Sequence, residues 1–510
     1  MRRLLATLTL TAVAVAGVAL TSIAESASAS TGQKYYVNCN AKVAGSGSEA
    51  SPWTSLSSIS SHGDFHPGDQ VLLKRGSSCH GRLSTTGSGA AGSPIVLGAY
   101  GKGSRPLVAG SGTVDSTGAV ELRNQQYWTI QDLRITNTVG GRSSKLYRAG
   151  VLIRNDSAGK LSGITVQRVD VRSVASSMNK NYGDPREWGG IIAVTSTQRS
   201  ANWFSGLTIR NNTIAGVGRT GVMVSNHNYP RSADTGVRVS YNRIDKPRGD
   251  GIVVRGTLSA RVDHNRVSNA NSAWPCAECG KISPKTANAG IWTATSKNTR
   301  IDHNEAWGTK AKGGDGEGFD VDVSAVGTVV EYNYAHDNEA GGVLLCGSRN
   351  AVVRFNILQN NGRSAIAFIG SRPARNTSIY NNTIYNSSKA GARVVRYFNG
   401  AHGSGITFKN NLVYNYSWNN YFWPTKKVTT AANTLIGNQG AGRPRDAKTS
   451  WVNPGLKKAG SGRTGMGTLK GYKPKHPSSF KRGVAIPKTV KVDLFGKRIN
   501  PSKPPRGAAG

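Results

Sequence analysis

Three stretches, "VRVSYNRI" (237–244), "ARVDHNRV" (260–267) and "TRIDHNEA" (299–306), repeat one unit. Each alternates apolar and polar residues, as a half-buried strand does, and then reaches an asparagine. The same unit recurs as "LTIRNNTI", "VVEYNYAH", "VVRFNILQ", "TSIYNNTI" and "ITFKNNLV", which places equivalent asparagines at Asn212, Asn242, Asn265, Asn304, Asn333, Asn356, Asn382 and Asn411. Their spacing runs from 23 to 39 residues. An all-β period of this length marks a stacked solenoid. A side-chain amide donates and accepts at once, so a column of asparagines can satisfy the buried turn backbone of successive coils. The pattern predicts a right-handed parallel β-helix.

A second strand of each coil follows a glycine: "GVLIR", "GIIAV", "GVMVS", "GIVVR", "GIWTA", "GFDVD", "GVLLC" and then "AIAFI". Side chains alternate along a strand. Val151, Val222, Ile252, Ile291, Phe319, Val343 and Ile366 are therefore expected to stack inward. Their neighbours, Trp292 and Asp320 among them, are expected to point out.

The N-terminal "YYVNCN", "PWTSLSSI", "FHPGDQVLLKRG" and "GSPIVLGAYG" resemble the cap and first coils of secreted β-helix proteins of the pectate-lyase-like superfamily. The C-terminal "VDLFGKRINPSKPPRGAAG" resembles the tail that closes such solenoids. The expected organisation is a signal peptide over 1–29, a cap with first coils over 30–105, the β-helix over 106–435, and a basic tail packing on the helix over 436–510. Arg2 and Arg3, an apolar run, and the small residues Ala27 to Ala29 support export. Cys39 and Cys79 suit a disulfide in an oxidising compartment, and Cys276 with Cys279 a loop staple. Cys346 is left over.

The net charge of +38, from 65 Lys and Arg against 27 Asp and Glu, implies a polyanionic partner. Export favours an acidic polysaccharide, with neither nucleic acid nor membrane as partner and the chain acting as a monomer. Against this basic background, nine carboxylates fall between Asp302 and Glu339, one third of all acids in the chain. The densest part is "GGDGEGFDVDVSA" (313–325). By the register above, Asp320 and Asp322 share an outward face. Arg219, Arg248, Arg255, Trp292 and Lys312 flank them as candidate substrate contacts. His264 and His303 are expected to be structural, and His336 is held as a reserve base.

Two chemistries fit. In the first, Asp315, Glu317, Asp337 and Glu339 bind calcium, which takes six to eight oxygen ligands, and a cation such as Arg363, with Lys312 behind it, serves as the base for β-elimination. The "DGEGFDVD" rung followed by "HDNEAGG" resembles the calcium-dependent pectate lyases of the β-helix type, and this resemblance implies a polysaccharide lyase. In the second, Asp320, Asp322 and Glu317 are themselves the acid and base of a glycoside hydrolase. A third reading is a non-catalytic adhesin that grips an anionic glycan through its arginines. Lyases require a uronate and commonly pair acids with arginine, so the first reading is preferred at this point.

Overall fold

The computed structural model describes residues 32–110, 117–138, 147–178, 187–196, 201–272, 279, 287–311, 314–389, 391–398, 403–418, 428–438, 443–444, 446–476 and 482–510. The chain winds into three long parallel sheets of 14, 13 and 11 strands, with small four- and two-stranded sheets beside them. One coil shows the path. Ile252–Arg255 lies in the 11-stranded sheet, Arg261–Asp263 in the 14-stranded sheet and Arg266–Ser268 in the 13-stranded sheet, before the chain returns at Ile291–Ala294.

The asparagine column forms as expected. Asn242 Nδ2 and its backbone N–H both donate to Asn265 Oδ1 at 2.9 Å, and Nδ2 also donates to the Ile209 carbonyl. The pattern repeats through Asn304, Asn333, Asn356, Asn382 and Asn411. It continues one coil further, to Asn433 in "TTAANTLI". The residue before each asparagine is left-handed, with φ near 56° at Tyr241, His264 and His303. That conformation costs a non-glycine residue about 1 kcal/mol or more. The side chains recover contact by stacking: Tyr241, His264, His303, Tyr332 and Phe355 form a continuous aromatic column with centroid spacings from 4.6 to 5.5 Å. His264 and His303 are thus structural, and each is also hydrogen bonded to the preceding aspartate.

The predicted inward column is in register across the 11-stranded sheet. Val222 pairs with Ile252, Ile291 with Phe319, Phe319 with Val343 and Val343 with Ile366, and all are fully buried. The neighbouring outward column differs from the expectation of an open groove. Leu152, Ile192, Met223, Val253 and Trp292 cluster together and are buried. That face is a second apolar layer, interrupted where Asp320 replaces an apolar residue and resumed at Leu344 and Ala367.

Leu456, Leu469, Tyr472, Ile486, Val490 and Leu494 of the C-terminal segment pack on Tyr334, Phe355, Ile357, Tyr380 and Tyr414. They cover the 14- and 13-stranded sheets. Cys39 and Cys79 are bonded, with Cα atoms 5.2 Å apart. Cys279 is disulfide-bonded while Cys276 lies outside the described residues, and Cys346 is a buried free thiol.

Candidate active site

The acidic turn and strand sit on the 11-stranded sheet, between Ile291–Ala294 and Gly341–Leu345. Phe319 and Val321 point into the core, which forces Asp320 to the opposite face. There Asp320 is flanked in register by Trp292 on one coil and Leu344 on the next. It is only 3 % exposed, and its Oδ1 has no hydrogen-bond partner. Burial, then the carboxylates of Asp322, Asp315, Glu317 and Asp250, hold the Asp320 carboxyl well above the ordinary carboxylate range.

Asp322 lies just past the strand. Its N–H donates to the Thr293 carbonyl, its Oδ1 accepts the Val323 N–H at 2.7 Å, and the residue is half-exposed. The same strand therefore offers one buried acid and one carboxylate that reaches solvent. Arg255 stands two coils before Asp322 in the column through Ala294, as the sequence register places it, and is half-buried.

Glu317 closes the turn from below, 2 % exposed, with Oε2 accepting the Gly316 N–H at 2.9 Å. Burial first, then Asp315, push it from 4.5 up to about 8; the Gly316 and Glu317 N–H groups and Arg363 offset part of this. Its side chain crosses Gly341, where a Cβ would lie 3.1 Å from Glu317 Cγ and 3.2 Å from the Ser364 carbonyl, so any side chain there would push against Glu317 by a few tenths of an ångström. Arg363 is exposed and donates to the Gly314 carbonyl at 3.1 Å, which ties it to the acidic turn.

Other expected site residues are elsewhere. Arg219 has no exposed surface; it is ion-paired at 3.0 Å with Asp250, which also accepts the Trp292 indole N–H at 2.9 Å. Asp250 thus binds Arg219 and Trp292 into one buried unit. Trp292 shows no open face for sugar stacking, and Arg248 is buried as well, with burial pulling its pKa down. A guanidinium in a turn reads as exposed, and only the facing acid on the next coil reverses that. Lys312 lies outside the described residues.

Two of the four expected calcium ligands turn to other partners. Asp337 is 58 % exposed at its side chain and bonded to His336, while Glu339 pairs with Lys310 at 2.9 Å and accepts the Ala311 N–H. Among the described residues no group of three or more His, Cys, Asp or Glu is placed to hold a metal ion. His336 is likewise not a base for this site. It lies on the 13-stranded sheet between Tyr334 and Trp307, bonded to Asp337 and Glu305, and Glu305 accepts the Gly465 N–H of the C-terminal segment.

Sequence reasoning missed Arg393 and Arg396. The outward column runs from Asp320 through Leu344 and Ala367 to Arg396, and Arg393 follows Ser364 in the adjoining column. Extending the stacked alignment from "AIAFI" by one coil, to "ARVVRYF", would have found both.

Residues 189–377 match the family described as right handed beta helix region. The lacto-N-biosidase of Bifidobacterium longum subsp. longum is 25 % identical over 565 aligned positions, covering 87 % of this chain and 34 % of that protein. The chain therefore spans about a third of the length of the curated relative it matches. The crystal structure of the GH136 lacto-N-biosidase from Eubacterium ramulus superposes with a TM-score of 0.61 at 22 % identity, over 73 % of this chain and 67 % of that one. XylC in complex with xylose gives 0.56 at 12 % identity, over 93 % and 98 %. At these identities the structural likenesses establish architecture. With the three parallel sheets and the asparagine column, they establish the fold as a right-handed parallel β-helix.

Proposed function

We propose that the protein is a glycoside hydrolase in which Asp320 is the general acid and Asp322 the second carboxylate. The observation that carries this is the pair itself: a buried acid whose Oδ1 has no hydrogen-bond partner and whose pKa is raised by burial, two residues from a carboxylate at the surface. Asp320 would transfer its proton to the departing glycosidic oxygen as the bond to the anomeric carbon breaks. Asp322 would either bond to that carbon from the opposite face or take the proton of the water that does. Glu317, neutral below about pH 8, adds no second negative charge beneath the pair at neutral pH. The likeness to lacto-N-biosidases supports hydrolysis, and the basic surface supports an acidic glycan as substrate.

The lyase reading preferred from sequence is less well supported, because among the described residues no group of acids is placed to hold calcium. One observation still favours it: Arg363 is exposed and tied to the acidic turn. A panel of glycans separates the two, by reducing ends on one side and the ultraviolet absorbance of unsaturated uronates on the other. Reducing ends released without that absorbance, and lost in Asp320→Asn and Asp322→Asn, support the hydrolase. Unsaturated products that survive both substitutions and vanish with Arg363→Ala refute it. Export belongs to the same proposal, supported by the charged and apolar pattern of residues 1–29 and by the Cys39 to Cys79 disulfide.

A further inference from the structure

Beside the acidic turn, on its C-terminal side, a surface hollow of about 220 Å³ is lined by Gly362, Arg363, Gly391, Arg393 and Arg396. The Arg393 backbone N–H donates to the Arg363 carbonyl at 3.0 Å, so these two arginines sit on consecutive coils, and Arg396 lies three residues further along the strand that begins at Arg393. Among the described residues none of the three lies within ion-pair distance of a carboxylate; Arg363 bonds only a carbonyl and Arg396 lies over the Phe398 ring at 5.1 Å. Several other arginines on this chain are placed against acids, as in Arg238 with Asp263, Arg261 with Asp302 and Arg354 with Glu331. Three guanidinium groups gathered without such a partner repel one another, and burial together with Arg363 and Arg393 pulls the Arg396 pKa down. An anion in the hollow would relieve that repulsion.

A second observation lies at the rim. Trp418 is 75 % exposed, and a Cβ built on Gly391 would lie 3.9 Å from its Nε1, so the indole borders the hollow across a residue with no side chain. A large exposed ring next to a cationic hollow suits a ligand with an apolar face and an anionic group. Arg396 is three strands from Asp320 along one column, about 14 Å at the usual strand spacing.

We propose that Arg363, Arg393 and Arg396, with Trp418 at the rim, form a subsite for an anionic sugar residue, a uronate or a sulfate ester, on the C-terminal side of the carboxylate pair. The location relative to the bond cleaved rests on the hydrolase reading; the binding itself does not.

The test uses the full chain carrying Asp322→Asn, to suppress turnover, and titrates three probes calorimetrically: an oligogalacturonate, its methyl ester, and a sulfated neutral oligosaccharide. Binding of the oligogalacturonate but not its ester, weakened about tenfold or more by Arg393→Gln with Arg396→Gln, supports a uronate subsite. The same loss confined to the sulfated probe assigns a sulfate ester, and loss for both assigns a general anionic subsite. Trp418→Ala, at an exposed position that leaves the fold intact, should weaken every probe that binds. The proposal is overturned if no anionic probe binds, or if binding is indifferent to both the arginine pair and Trp418. Turnover that persists in Asp322→Asn refutes the hydrolase reading alone, leaving the arginine dependence to decide the subsite.

Discussion

Glu317→Gln should change how the stability of this protein depends on pH. Glu317 is buried beneath the acidic turn, and its folded pKa is about 8 against 4.5 unperturbed. For a carboxyl raised on folding, the native state holds a proton that the unfolded chain has released. Stability is therefore highest below the unfolded value and falls as pH climbs toward the folded one. Integrating the proton difference over this window, Glu317 alone removes about 4 kcal/mol between pH 5 and pH 9. Glutamine keeps the shape and can never ionise, so the variant should lose that slope. It also relieves Asp320, whose raised pKa includes Glu317 among its causes. Urea denaturation followed by circular dichroism, at intervals across this pH range, measures the effect. The variant's midpoint should fall less steeply with pH than that of the native protein, the slope that remains belonging to Asp320. Parallel profiles for the two proteins would refute the protonated-Glu317 argument.

Asp320→Asn should lower kcat/KM by about 10² to 10⁴ on any glycan that the native protein cleaves. In the native enzyme the alkaline limb of the pH profile should lie well above the ordinary carboxylate range, in keeping with the raised Asp320 pKa, and an alkaline limb near pH 4 to 5 would contradict its role as the acid. Arg219→Met should destabilise the fold by about 3 to 5 kcal/mol by stranding the Asp250 carboxylate in the interior. The same change should alter Trp292 fluorescence, because Asp250 also accepts its indole N–H, and an unchanged denaturation midpoint would rule out the buried pair. Asn304→Ala removes donors to Val262 and Asn333 and the acceptor for Asn265. A loss of about 2 to 4 kcal/mol is expected, read from the denaturation midpoint, whereas a neutral substitution would mean that the column is decorative.

Much of the fold could be read because its cause is repeated locally. Asn265 and Asn304 recur after the same strand pattern, and the turn they satisfy is built from residues adjacent in the chain. Phe319 and Val321 alternate with Asp320, so a correct register for one coil carried to its neighbours. The candidate site was legible only in part. Asp320, Asp322 and Glu317 stood out as acids in a basic chain, and the coil alignment put them together.

The partners of those charges were not legible. Arg219 and Arg363 are both arginines in the turns before a strand, yet one is sealed against Asp250 and the other is open to solvent. Asp337 and Glu339 follow the acidic rung as a calcium site would require, but their side chains turn to His336 and Lys310. Sequence alone determined the β-helix, its asparagine column and which strand carries the acids, because these follow from alternation and period within one coil. Tertiary structure decided which outward residues are buried, which acids stay protonated and which arginines lack a countercharge. Desolvation and ion pairing depend on what the neighbouring coils place opposite each group, and no periodicity within a single coil specifies that.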